Sequence, residues 1–296
     1  MFKYNSIQEI VDIANEKGLK ISELVMEDQA KQFGYSVDDL YIEMEKAFDI
    51  MIESTHTGMD ENLKSTSGLT GGEGYKVMQY AMNNNGGFAG DFMTRSIARA
   101  MATSNTNAAM GRIIATPTAG SCGILPGVLV TLYEDEKIDK ETIVKGIFTA
   151  GAFGMVVAKN ASISGAEGGC QAECGSASGM AAAAIVEIKG GTPQQAADAL
   201  GMCVINQLGL VCDPVAGLVE IPCIKRNASG VSIAISSASM ALAGVDLYIP
   251  VDETLMAMKE VGDMMRDDLK ETARGGLANT PTGKRLMKEV FGEENN

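Results

Sequence analysis

Six cysteines and a single histidine are the residues of this 296-residue chain best suited to chemistry, and three of the cysteines stand apart by their surroundings. Cys170 follows two glycines in G-A-E-G-G-C-Q, Cys212 precedes Asp-Pro in L-V-C-D-P-V-A-G, and Cys223 follows proline in E-I-P-C-I-K-R-N. Glycine and proline punctuate regular structure, so these thiols are expected in tight loops that can converge from distant parts of the chain. Cys203, in A-L-G-M-C-V-I-N, instead has the apolar setting of a cysteine packed as a small hydrophobe. Three loop thiolates without a fourth of the same kind point to an iron–sulfur cluster that leaves one iron open to a substrate.

The rivals are weighed by spacing. Core packing is the ordinary fate of any one cysteine taken by itself. Structural zinc favours paired C-x-x-C ligands or histidine partners, whereas this chain has no C-x-x-C and His56 is its only imidazole. Cys170 and Cys174 do form C-x-x-x-C, but Cys174 opens a small-residue helical run at 175–188 and could simply pack there. Six cysteines in 296 residues are too sparse for a disulfide framework.

The cysteine loops lie inside longer runs. N-A-S-I-S-G-A-E-G-G-C-Q-A-E (160–173), G-S-A-S-G-M-A-A-A-A-I-V-E (175–187) and G-L-V-C-D-P-V-A-G-L-V-E-I-P-C-I-K-R-N (209–227) resemble the alpha chain of iron–sulfur-dependent L-serine dehydratases. T-S-G-L-T-G-G (66–72), A-T-P-T-A-G-S (115–121) and G-G-L-A-N-T-P-T-G-K (275–284) extend the resemblance in collinear order over most of the chain. It implies a 4Fe-4S cluster held by Cys170, Cys212 and Cys223. Many relatives carry Ala and Val where this chain has Cys122 and Cys174, so an additional or alternative thiolate from those two stays open.

Composition restricts the partners. A formal net charge of −14 argues against nucleic acid and an anionic membrane surface as partners, because either needs clustered Lys and Arg. A small carboxylate substrate must then be captured by local donors. The start, M-F-K-Y-N, leads into a polar helical pattern rather than an apolar signal core, and the longest apolar stretch, 146–158, falls short of the ~20 residues that span a bilayer. A cytoplasmic protein with reduced thiols is expected.

Helices must position these loops. With 46% hydrophobic residues, no Trp and 5% aromatics, the core relies on Ala, Met, Ile, Leu and Val, which favours close-packed helices. Ser6 with Glu9 reads as a capping box, and Leu40, Met44, Phe48 and Met51 recur at helical spacing in 36–52. Further helical patterns cover 75–83, 91–104, 124–133, 140–158, 175–188, 193–208, 232–247, 252–267 and 283–291. The expected fold is mostly α. An N-terminal helical segment, 1–61, packs on a multi-helix catalytic domain, 62–296, with Gly/Ser/Thr-rich active-site loops between helices.

Those loops carry the candidate substrate contacts. Residues 66–72, 116–121, 160–165 and 275–283 offer amides and hydroxyls at expected helix starts, where unsatisfied N–H groups bind carboxylates without a net-positive protein. Thr118, Ser121, Asn160, Ser162 and Ser164 are the first choices for binding substrate. Each such loop alone is more often an ordinary turn or cap. Gly71-Gly72 lacks the G-K-S/T ending of a phosphate loop, and neither Lys159 nor Lys225 has the surroundings of a pyridoxal-phosphate Schiff-base lysine.

The resemblance implies elimination from L-serine. An open iron acts as Lewis acid on the hydroxyl, a base removes the α-hydrogen, and aminoacrylate goes on to pyruvate and ammonia. The base is the missing part. Lys225, close after Cys223, and His56 in E-S-T-H-T-G are the weak candidates, and a lone His ending an amphipathic helix is more often a cap or surface residue. Related enzymes carry a Ser-Ser-His-Thr segment in a separate beta chain or fused beta domain, so a beta subunit is the expected partner. Two alternatives remain at this point: a non-catalytic cluster-binding subunit, and an iron–sulfur hydro-lyase acting on another small hydroxy acid such as malate or tartrate.

Overall fold

A computed structural model describes residues 3–292, and among these the regular elements are helical, with one isolated backbone bridge between Cys212 and Lys270. The mostly α expectation holds. In chain order the helices are α1 (Ile7–Lys17), α2 (Ile21–Phe33), α3 (Val37–Thr57), α4 (Glu73–Asn83), α5 (Asp91–Ala108), α6 (Ile124–Glu134) and α7 (Lys140–Asn160). There follow α8 (Gly165–Gly168), a π-helical turn Gln171–Gly175, α9 (Ser176–Ile188), α10 (Pro193–Ile205), α11 (Cys223–Leu242), α12 (Val251–Met264) and α13 (Pro281–Phe291).

Local chemistry explains many boundaries. Ser6 accepts from the Glu9 amide and Gly18 ends α1 in the left-handed region at φ 65°. Ser36 with Asp39 starts α3, and Thr192 with Pro193 and Gln195 starts α10. The sequence pattern missed α2, whose hydrophobic stripe is broken by Glu27, Asp28 and Gln29. It also placed the start of α11 at Ser232, whereas the helix begins at Cys223, so that thiol stands on a helix's first turn rather than in an open loop.

The core forms around α9. Its residues from Ser176 to Glu187 are all buried, and the Ala181–Ala184 run lets α7, α10, α11 and α6 approach closely. Helix α7 is long and apolar enough to cross a membrane by composition, yet 67% of that window is buried inside the protein, where it packs on α9 and α2. At the other end of the chain, α1 lies on α10 and α12, and Asp252 of α12 accepts the Ile7 and Gln8 amides at 2.8 and 3.0 Å.

Gly58 shows how tight the packing is: a Cβ there would stand 1.8 Å from the Ala102 carbonyl oxygen of α5. Backbone cannot yield as a side-chain tip can. Gly58→Ala is expected to lower the unfolding free energy by about 1–3 kcal/mol in urea titration, with the m-value unchanged.

Candidate metal centre

Gln171 draws the first two cysteine loops together. Its amide donates to the Leu210 carbonyl at 2.9 Å, its side-chain oxygen accepts from the Gly209 amide at 2.8 Å, and its Nε2 donates to Met258 of α12 at 2.8 Å. Gly169 makes the approach possible. It holds φ at 73°, and a Cβ there would strike Met265 Sδ at 2.6 Å and the Leu210 oxygen at 2.9 Å. Cys212 is then clamped from the other side, its amide donating to Leu269 at 2.8 Å and its carbonyl accepting from Glu271 at 2.7 Å.

Cys223 arrives on the third element. Asn227, one turn along α11, donates to the carbonyls of Cys223 (2.9 Å) and Gly120 (2.7 Å) and accepts from the Gly123 amide (2.9 Å). That ties the helix carrying Cys223 to the 116–123 loop. The 66–72 loop is fixed beside it, because Ser67 and Thr70 donate to the two carboxylate oxygens of Glu220 at 2.8 and 2.6 Å.

The thiols meet a carboxylate. One carboxylate oxygen of Glu173 and the sulfurs of Cys170 and Cys212 all lie within 4.8 Å of one another, and all three residues are buried. Cys174 Sγ is 3.5 Å from Cys170 Sγ. Thr118 Oγ1 donates to Glu173 Oε1 and lies 3.0 Å from Ser121 Oγ. Arg226 supplies the opposite charge: its guanidinium donates to the Val211 carbonyl and to Asp213, each at 2.8 Å, and also acts on Cys170.

This arrangement favours one negative sulfur. Hydrogen bonds from Cys174 and Cys212, assisted by the Arg226 charge, hold the Cys170 thiol well below the usual thiol range. Cys212 and Cys174 move the other way, first through their hydrogen bonds to Cys170 and then through burial. Burial raises Cys223 as well, with the charges of Cys170 and Glu173 adding to it. Burial, then the Cys170 charge, pushes Glu173 up to about 7. A metal bound here would supply the positive charge that deprotonates the remaining thiols.

The donor set fits an iron–sulfur group. Sulfur ligands select iron–sulfur clusters or zinc, and the lack of histidine does not separate the two because zinc also takes all-cysteine sites; Cys223 stands outside the 4.8 Å group although it feels the Cys170 charge. Thiols spread more widely than one ion requires suit a cluster whose irons are separate corners.

The residues singled out from sequence separate into two groups. Thr118 and Ser121 are at the centre, touching Glu173 directly or through one another. Ser162 binds Glu167 at 2.7 Å, accepts the Ser164 amide at 3.1 Å and lines a cavity of about 300 Å³ that backs onto the Cys170 turn, while Ser164 caps α8. Asn160 is exposed and donates to the Asn5 carbonyl at 2.6 Å, so it clamps the N-terminal segment. Lys225 is exposed on α11, whereas its neighbour Arg226 turns toward Cys170. His56 is 60% exposed on the last turn of α3 and pairs with Glu134 at 2.7 Å.

Cys203 and Cys122 lie apart from the three candidate ligands. Cys203 is wholly buried in α10, and burial pushes its thiol up to about 12. Cys122 is equally buried and is pushed up to about 12, first by burial and then by the charge of Glu173. Glu173, Arg226 and Asp213 were not singled out from sequence. Their signal was a charged side chain one to three residues from a loop cysteine.

A family model described as serine dehydratase alpha chain matches residues 16–278. The chain belongs to that family. It is 47% identical over 289 residues to a "Probable L-serine dehydratase, alpha chain" of Bacillus subtilis, covering 98% of this chain and 96% of that one. The "L-serine dehydratase, alpha chain" of Peptoniphilus asaccharolyticus is 44% identical over 289 residues, covering 98% and 99%. The "L-serine dehydratase" of Streptomyces coelicolor is longer, 37% identical over 94% of this chain but only 61% of its own length.

Proposed function

We propose that this chain is the cluster-bearing half of an L-serine dehydratase, which eliminates water from L-serine to give aminoacrylate and then, by tautomerisation and hydrolysis, pyruvate and ammonia. The observation that carries the reading is the convergence of Cys170 and Cys212, with Cys223 beside them, in a member of this family. A 4Fe-4S group on these three thiolates supplies a Lewis acid for the departing serine hydroxyl, a poor leaving group by itself.

The chain's own residues do the rest of the binding. Thr118, partly exposed and backed by the fully buried Ser121, sets a hydroxyl beside Glu173 that is suited to orienting a small polar substrate. Arg226 offsets the anionic sulfurs in a protein whose net charge is −14. Asn227 and Glu220 hold the 116–123 and 66–72 loops in register with Cys223. The proton on the α-carbon needs a base from elsewhere, because His56 is engaged with Glu134 on the surface and Lys225 faces solvent. The reading therefore assigns the base to a beta-type subunit. Free thiols at all six cysteines suit a reducing cytoplasm.

Anaerobic reconstitution with iron and sulfide, followed by a pyruvate assay on L-serine with the partner present, tests the assignment. Air should inactivate the loaded enzyme, since an iron without a thiolate ligand is lost first, and ferrous iron with a reductant should restore turnover. Pyridoxal phosphate should have no effect. Clear stimulation by it would overturn the iron chemistry.

A further inference from the structure

We propose that the Glu173 carboxylate is the protein ligand of the iron that the three thiolates leave open, occupying it until substrate arrives. This rests on the cluster reading above and adds to it a fourth, exchangeable ligand.

The inference starts from hydrogen-bond satisfaction. Glu173 is 8% exposed, and its Oε1 is taken by the Thr118 hydroxyl. Among the described residues, the hydrogen-bond partner of Oε2 is the Cys170 thiol at 3.9 Å, a long and weak contact. Once Cys170 is a metal-bound thiolate it has no proton to donate, and Oε2 would be a buried acceptor with nothing to accept. A buried carboxylate oxygen without a donor is costly, and a metal ion beside it removes the cost as a proton would.

Other buried acids near the thiols are already spent. Asp213 uses one oxygen for Arg226 and the other for the Leu277 amide at 2.7 Å, and both oxygens of Glu220 are held by Ser67 and Thr70. The surroundings also make room for Glu173. A Cβ at position 120 would stand 2.5 Å from Oε1, so Gly120 leaves the carboxylate its place. The π-helical turn begins directly after Cys170 and sets Cys170, Glu173 and Cys174 toward one another, an irregularity that recurs at functional sites.

Carboxylate suits the role because it is harder than thiolate. It holds iron less firmly, so the oxygens of an incoming hydroxy acid can displace it, while between turnovers it shields the iron from loss. No oxidation or reduction is involved: one oxygen leaves the iron as another binds.

The test compares anaerobically loaded wild type, Glu173→Gln and Thr118→Val. All three should load to the same iron and sulfide content, since the thiolates are intact. In Glu173→Gln without serine, the Mössbauer doublet of the unique iron should shift, and a chelator should remove one iron about tenfold faster than in wild type, with a 3Fe-4S signal growing in electron paramagnetic resonance. Thr118→Val keeps the carboxylate but frees it, and should accelerate loss by less. If Glu173→Gln fails to fold by circular dichroism, Thr118→Val decides: iron loss at the wild-type rate overturns the inference. Identical doublets and loss rates in wild type and Glu173→Gln overturn it alone, whereas a wild type that takes up no cluster overturns the cluster reading with it.

Discussion

Serine in place of Cys170, Cys212 or Cys223 is expected to abolish both the broad visible absorption of the loaded protein and its activity. Hydroxyl oxygen is a hard, weakly acidic donor and a poor substitute for thiolate at iron. The three positions arrive on separate elements, the start of a π-helical turn, an irregular segment clamped to residues 269–271 and the first turn of α11, so no single stretch of chain supplies more than one of them. Cys174, 3.5 Å from Cys170, is the one thiol near enough to compensate, and Cys170→Ser is therefore best measured alongside the Cys170→Ser/Cys174→Ser pair. Cys203→Ser is the control. It lies in the packed interior of α10, and should keep full cluster content while losing about 1–2 kcal/mol of stability for a buried hydroxyl. Normal iron content in any of the three loop variants would remove that cysteine from the ligand set.

The second large effect concerns completeness. Cluster-loaded protein without a partner is expected to deaminate serine about 10²–10⁴-fold more slowly than the reconstituted pair, the usual contribution of a positioned general base. The structural ground is the position of the one imidazole. His56 ends α3 at the surface, where its ring serves Glu134, which in turn binds Arg99 at 2.8 Å. His56→Ala in the pair should leave turnover within about twofold, with stability changed by under about 1 kcal/mol, as for other exposed ion pairs. Full activity of the isolated chain, eliminated by His56→Ala, would return the base to this chain.

Much of this protein was legible before any coordinate. The helix starts at Ser6, Ser36 and Thr192 are written in residue types that cap locally, and the apolar periodicity of α3, α5 and α7 needs nothing beyond the chain to be read. Cys203 was recognisable as core because its neighbours in sequence are also its surroundings. Glycine and proline beside Cys170, Cys212 and Cys223 set those three apart in sequence, although they too are buried and Cys223 stands on the first turn of α11.

Tertiary structure alone decided which side chains face one another. Gln171 bonds to Leu210 and Gly209 across some forty residues, and that contact, invisible in spacing, brings Cys212 to Cys170. It also decided between neighbours: Arg226 turns toward Cys170 while Lys225 points to water, and Thr118 reaches Glu173 while Asn160 turns to Asn5. Residue type announces what a side chain can do. Its direction comes from the packing of α9, α11 and α12 around the π-helical turn, because a buried charge stays only where distant elements supply its partners.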